Sequence, residues 1–269
     1  MKKKIFNVIN LVIASVILSS FFACSTTDPK EPEPTTPTEV VTIEGEITED
    51  LTLTSNKQYL LKGFVYVTNS AELTIEPGTI IKGDKASKAT LVIERGGKIW
   101  AQGTKNSPIV FTSNQPKGER SYGDWGGIVI CGNAKVNTAT GTAKIEGGPR
   151  SEYGGLDNND NSGALEYVRI EFSGVEYATD NEINGLTLGG VGSATILRHI
   201  QVSYCGDDSY EFFGGTVNAK YLVAFRGWDD EFDTDNGFSG KLQFLVGLRD
   251  PNEFYYDQLP QQNSWVARS

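Results

Sequence analysis

Gly206-Asp-Asp-Ser-Tyr-Glu-Phe-Phe-Gly-Gly215 is repeated in chemistry, though not letter for letter, as Trp228-Asp-Asp-Glu-Phe-Asp-Thr-Asp-Asn-Gly237, an offset of 22. The same offset relates Leu222-Val-Ala-Phe225 to Phe244-Leu-Val-Gly247. Upstream, Leu165, Val168, Ile170, Phe172 and Gly174 return as Leu197, Ile200, Val202, Tyr204 and Gly206, an offset of 32. Leu73-Thr-Ile-Glu-Pro-Gly78 returns as Leu91-Val-Ile-Glu-Arg-Gly96, an offset of 18. Repetition at a nearly fixed period marks a chain built from stacked units. The segments alternate apolar and polar residues and close on Gly, Asn, Asp or Pro, as strands and turns do. From Val40 onward no helical period competes. The expectation is all-β: a parallel β-helix (solenoid) over residues 40–269, with turns of roughly 18–32 residues. One turn cannot bury its inner face alone, and stacking buries it. The inward row is expected at Ile170, Val202, Ala224 and Val246, with an insertion from Glu176 to Ala194. An antiparallel sandwich also has short strands and many glycines, but does not require a repeat. A leucine-rich repeat is excluded because its Asn/Leu signature is missing.

Composition narrows the chemistry. The 269 residues hold 34 Asp+Glu against 24 Lys+Arg, a formal charge of −10, which argues against nucleic acid as a partner. Three cysteines are too few for a disulfide scaffold or a thiolate zinc cluster. The single histidine, His199, excludes sites needing two imidazoles. Its place between Leu197 and Ile200 reads as a surface or turn position rather than a base. The 30 glycines fit many turns.

The N-terminus sets the compartment. Lys2, Lys3 and Lys4 precede an apolar run from Ile5 to Phe22, and then Ala23-Cys24. This reads as a secretory signal over 1–23. The cysteine after a small residue resembles the bacterial lipoprotein signal, which is cut before a Cys that receives a lipid. A permanent membrane anchor is the alternative. Residues 24–39 carry Pro29, Pro32, Pro34 and Pro37 and read as a stiff extended tether, or as an ordinary disordered one. The expected location is the cell envelope, as an outer-membrane lipoprotein facing the periplasm or the surface. Cys131 and Cys205 would remain, either paired or as separate buried thiols.

Several longer segments carry a family resemblance. They are Tyr59-Leu-Leu-Lys-Gly-Phe-Val-Tyr-Val67, Leu73-Thr-Ile-Glu-Pro-Gly-Thr79, Pro108-Ile-Val-Phe-Thr-Ser113, Gly123-Asp-Trp-Gly-Gly-Ile-Val-Ile130 and Asn184-Gly-Leu-Thr-Leu-Gly-Gly-Val-Gly192. The chain resembles secreted right-handed parallel β-helix lipoproteins common in Bacteroidota, roughly from Tyr59 to Pro251. The resemblance implies a right-handed coil and an envelope location, and little about activity. Such chains usually continue past Asp250-Pro251 with further turns. The tail to Ser269 therefore reads as a cap or as a shortened end.

The strongest chemical feature is the acidic repeat. Asp207, Asp208 and Glu211 precede Asp229, Asp230 and Asp233 by 22 residues, and Asp235 extends the second set. If 22 residues make one turn, equivalent carboxylates stand about 4.8 Å apart. Each pair then repels by roughly 3 kcal/mol at an effective dielectric of 20. Water screens this at the surface; otherwise a proton, a nearby Arg or a cation must offset it, and Arg226 or Lys220 could neutralise part of the stack. Clustered oxygen ligands suit Ca²⁺, and Asp229-x-Glu231-x-Asp233-x-Asp235-x-Gly237 resembles part of a calcium loop. Asp157, Asp160 and Asp180 are weaker candidates. The competing reading is that these residues only shape turns.

Two functions follow. The favoured one is a non-enzymatic, calcium-stabilised surface module with a polysaccharide or surface-protein partner and no catalytic residues. The alternative is a polysaccharide lyase or glycoside hydrolase using Asp207/Asp208 and Asp229/Asp230. Tyr210, Phe212, Trp228 and Phe232 would then stack on sugars; otherwise they are core, with Tyr210 over Phe232. Gly189-Gly-Val-Gly192 is too short for a nucleotide loop.

Overall fold

The computed structural model describes residues 39–68, 70–178 and 181–251. The signal segment, Cys24, the Pro-rich tether, Asp180 and the tail after Pro251 lie outside the described residues. Every regular element among the described residues is a strand. Sixteen strands join into one wound sheet, and every pairing within it is parallel. The wound sheet is a right-handed parallel β-helix, the hand that parallel crossovers take.

Its wall has three faces. Sheet one passes through Tyr59, Ile81, Phe111, Ile170, Val202 and Ala224. Sheet two passes through Leu53, Ile75, Ala101, Leu165, Leu197 and Ala219. Sheet three passes through Val67, Ile93, Ile130, Leu188 and Phe212. These residues point inward and form one continuous core. Each large aliphatic side chain buried there contributes about 1.5–3 kcal/mol. The buried Tyr210 hydroxyl lies 2.9 Å from Ile200 O and 3.0 Å from Val223 O, so the one polar atom it brings inside is satisfied.

Where sheet two turns into sheet one, Tyr167, His199, Tyr221 and Phe244 all adopt positive φ. A non-glycine residue in that region costs about 1–2 kcal/mol. The four rings stack in register at centroid separations of 4.4, 4.5 and 4.8 Å, which offsets part of that cost. His199 is thus a corner residue held between two tyrosines.

Three details of register differ from expectation. The 18-residue repeat is not a turn of the coil: Leu73 pairs with Leu51 and Ile99 in sheet two, whereas Leu91 pairs with Val65 and Ile128 in sheet three. The same short pattern specifies a strand and its closing turn on either face. Val246 is not inward. It pairs with Val223, and Gly247 takes the place above Ala224, because the 236–241 loop holds one residue more than its counterpart 214–218. Val246 is accordingly 46% exposed. Finally, Glu176 to Ala194 is not one insertion. Val175–Ala178 and Asn181–Ile183 form an outer hairpin, and Leu186–Gly189 returns as a rung of sheet three.

That hairpin, and a second made by Ala143–Lys144 with Glu152–Tyr153, flank the outer face of sheet three. A second apolar cluster lies beneath them, built from Tyr66, Val92, Val129, Cys131, Ile145, Tyr153, Val175 and Ile183. The outer face of this sheet is therefore interior.

Candidate functional site

The outward row of sheet three runs Tyr66, Val92, Val129, Thr187, Glu211, Asp233. Its first members are apolar and buried under the hairpins. At Glu211 the row turns acidic while remaining buried, with only 4% of that residue exposed. An acidic site thus grows out of a hydrophobic seam.

The offset of 22 is a turn of the coil here. Glu211 pairs with Asp233, and the Asp230 amide donates to Asp208 Oδ1 at 2.7 Å. Carboxylate oxygens of Asp207, Asp208 and Asp229 lie within 4.8 Å of one another, and so do those of Asp208, Asp230 and Asp233. Asp208 belongs to both groups. Its backbone is fixed from below: its carbonyl accepts the Gly185 amide at 2.8 Å and the Cys205 thiol at 3.1 Å. The turn before it packs on Gly174, φ +84°, where a Cβ would stand 2.5 Å from Cys205 Sγ and 2.7 Å from Gly206 N.

Sequence reasoning missed two carboxylates. Glu146 precedes the Gly147-Gly148 turn of one hairpin, and Glu182 lies on the other. Burial pushes Glu146 up, and Glu182, Asp233 and Asp235 push it further, against a hydrogen bond from Asn184. Burial raises the Asp207 carboxyl to about 8, with repulsion from Glu182, Asp229 and Glu146 adding to it. Burial likewise raises Asp208, reinforced by Asp207 and Asp229, and raises Glu211, reinforced by Asp208 and Asp233. No local sequence signal ties either hairpin glutamate to residues 207–233; only the fold brings them together.

Unsatisfied atoms mark the centre. Asp124 Oδ1 and Glu231 Oε1 are buried but face Lys85 Nζ at 2.8 Å and Arg249 Nε at 2.6 Å. Among the described residues Glu211 Oε1 and Ser209 Oγ have no hydrogen-bond partner, while the Glu211 carboxyl is also hydrogen-bonded to Asp208. An orphaned buried carboxylate oxygen among hard oxygen donors fits a Ca²⁺-like ion. It does not fit a soft metal, since the buried Cys205 thiol is pushed up and no imidazole is near.

Other candidates separate from this centre. Asp235 is exposed, pairs with Phe213 and joins neither carboxylate group. Glu231 is drawn to Arg249, so Asp229 to Gly237 is not a single calcium loop; the grouping is across turns. Arg226 pairs with Asp250, and Lys220 lies over Tyr221. Asp157 caps the Asn159 amide, and Asp160 accepts from Asn133 and Ser162. Those two shape turns.

The aromatic candidates also divide. Tyr210 and Phe212 are fully buried, and Tyr210 stacks on Phe232 at 5.1 Å. Trp228, 37% exposed, stacks on Tyr122 at 4.7 Å at the surface. Cys131 and Cys205 are free and buried, and burial pushes both thiols up.

Within each carboxylate group the spacing suits a shared proton or cation. No match to the chain was found among curated proteins or solved structures. A family model described as a pectate-lyase-like β-helix domain matches residues 45–255, which hold both hairpins and all but the first residues of the wound sheet, and the chain belongs to that family.

Proposed function

We propose that this chain is a calcium-stabilised β-helix module, tethered to the cell envelope through a lipid on Cys24, that binds a polysaccharide or surface protein without cleaving it. The observation that carries the cation is Asp208, shared by two carboxylate triads beside the orphaned Glu211 oxygen. Asp207, Asp208, Glu211, Asp229, Asp230 and Asp233 would hold the ion; Asp235 would lie outside its first ligands. The ion would neutralise the mutual repulsion of these carboxylates, locking the turn at 207–211 to the turn at 229–233. Titrating Ca²⁺ into chelator-treated protein tests this. The melting temperature should rise at millimolar calcium, and no rise would sink the cation reading. Radiolabelled fatty acid incorporated into the wild type but not Cys24→Ala tests the anchor.

The second reading is a polysaccharide lyase or glycoside hydrolase. It is favoured by the exposed Trp228 beside Asp229 and by fold-level analogy to the family. A glycan array combined with a product-release assay separates the two. Release abolished by Asp229→Ala and Asp230→Ala establishes the enzyme.

A further inference from the structure

A cleft of about 560 Å³ lies between the loop before Gly123 and the corner where sheet one ends. Lys117, Arg120, Arg169 and Arg226 line it, with Glu171 and Asp250 as the carboxylates, leaving a surplus of two positive charges on a chain of −10. The corner residues Phe172, Tyr204 and Arg226 share one register position and a positive φ, so a guanidinium follows two aromatics in a vertical row. Phe172 and Tyr204 stack at 5.1 Å, and Tyr122 meets Tyr204 edge-on at 5.8 Å, giving the cleft an apolar wall.

The guanidiniums are positioned but not used up. Arg120 donates through Nε to Gln115 O and through Nη1 to Thr112 Oγ1, leaving Nη2. Arg169 meets Glu171 through Nη2, and Arg226 meets Asp250 through Nη2 at 3.3 Å, leaving Nη1 of each. Lys117 makes no ion pair among the described residues.

The number of donors selects the anion. A carboxylate has two oxygens, which one guanidinium fork saturates. Three guanidiniums from separate segments suit an anion with three terminal oxygens. We propose that this cleft binds a tetrahedral oxyanion carried on a sugar ring, a sulfate ester or phosphate monoester, with the ring against Tyr122 and Tyr204. This deepens the polysaccharide-binding reading and does not depend on the calcium site.

Calorimetry on the full chain tests it with a sulfated galactan oligosaccharide, the same galactan desulfated, a phosphorylated sugar and an oligogalacturonate. The sulfated or phosphorylated ligand should bind, the tighter of the two naming the source, and the neutral and carboxylate ligands should not. Arg226→Gln and, on the exposed loop, Lys117→Gln should each weaken binding about tenfold, the scale of one charge-assisted hydrogen bond. The same titrations in chelator should give the same affinities. Equal binding of the desulfated or uronate oligosaccharide, no binding of either tetrahedral anion, or an unaffected Arg226→Gln protein overturns the proposal, whatever calcium does.

Discussion

Raising the pH of the metal-free protein should destabilise it between pH 5 and 7.5. An acid whose folded pKa is raised keeps its proton in the native state after the unfolded chain has lost it. Its stabilising contribution is complete below the unfolded value and disappears as pH climbs to the folded one. For Asp207 that window runs from 3.8 to about 8. Each pH unit inside it costs about 1.4 kcal/mol, so 2.5 units remove about 3 kcal/mol. Asp207 is half-buried, and solvent screening reduces this to about 2 kcal/mol. For a domain of this size that is a fall in Tm of roughly 4–8 °C. Asp208 and Glu211 move in the same direction and add to it. The carboxylates held low behave oppositely but act below the window: Glu72 bonds Lys98 and Trp100, and Glu166 is held low by Arg198 and Gln102 despite its burial. The assay is thermal unfolding in chelator at constant ionic strength, at half-unit pH steps. Calcium at a hundredfold its Kd should restore about 2.7 kcal/mol at pH 7.5. A Tm that is flat or rises from pH 5 to 7.5 in chelator would refute the burial and repulsion assigned to this cluster.

Glu211→Gln should flatten that pH slope, because it removes an acid that keeps its proton in the folded state after the unfolded chain has lost it, while keeping the side chain's shape; an unchanged slope in chelator would place the titrating groups elsewhere. Gly174→Ala should destabilise the fold by more than 2 kcal/mol in urea unfolding, since its Cβ would collide with Cys205 Sγ and the Gly206 amide at a positive φ. Tyr210→Phe should cost about 1 kcal/mol in the same assay by removing the buried hydroxyl that meets the Ile200 and Val223 carbonyls inside the coil. His199→Ala should lower stability by about 1 kcal/mol through loss of two ring contacts, without changing glycan binding or any product release.

Much of the coil was legible because stacking imposes repetition. Residues 206–215 and 228–237 occupy the same positions in successive turns, so the site's Asp207/Asp229, Asp208/Asp230 and Glu211/Asp233 correspondences were readable from spacing. The offset of 18 misled because the pattern Leu-x-Ile-x-x-Gly specifies a strand and its closing turn without specifying a face. Val246 misled because one added residue in 236–241 shifts every later side chain to the opposite face. The hairpins were not legible. Their strands are two to four residues long, and what holds them is packing on Val92 and Val129, residues far away in sequence.

Those hairpins decide the chemistry. Without them, the outer face of sheet three would be solvated, and water would screen Glu211 from Asp233. By burying the row from Tyr66 to Thr187, they place Glu211 at the margin of a low-dielectric seam, and they bring Glu146 and Glu182 as further negative charge. A stack of carboxylates merely shaping exposed turns needs neither burial nor two extra acids from distant segments. On the proposed reading the arrangement would cost stability in the absence of protons or a cation and recover it when either is supplied, so that the order of residues 207–233 would depend on what occupies the cluster.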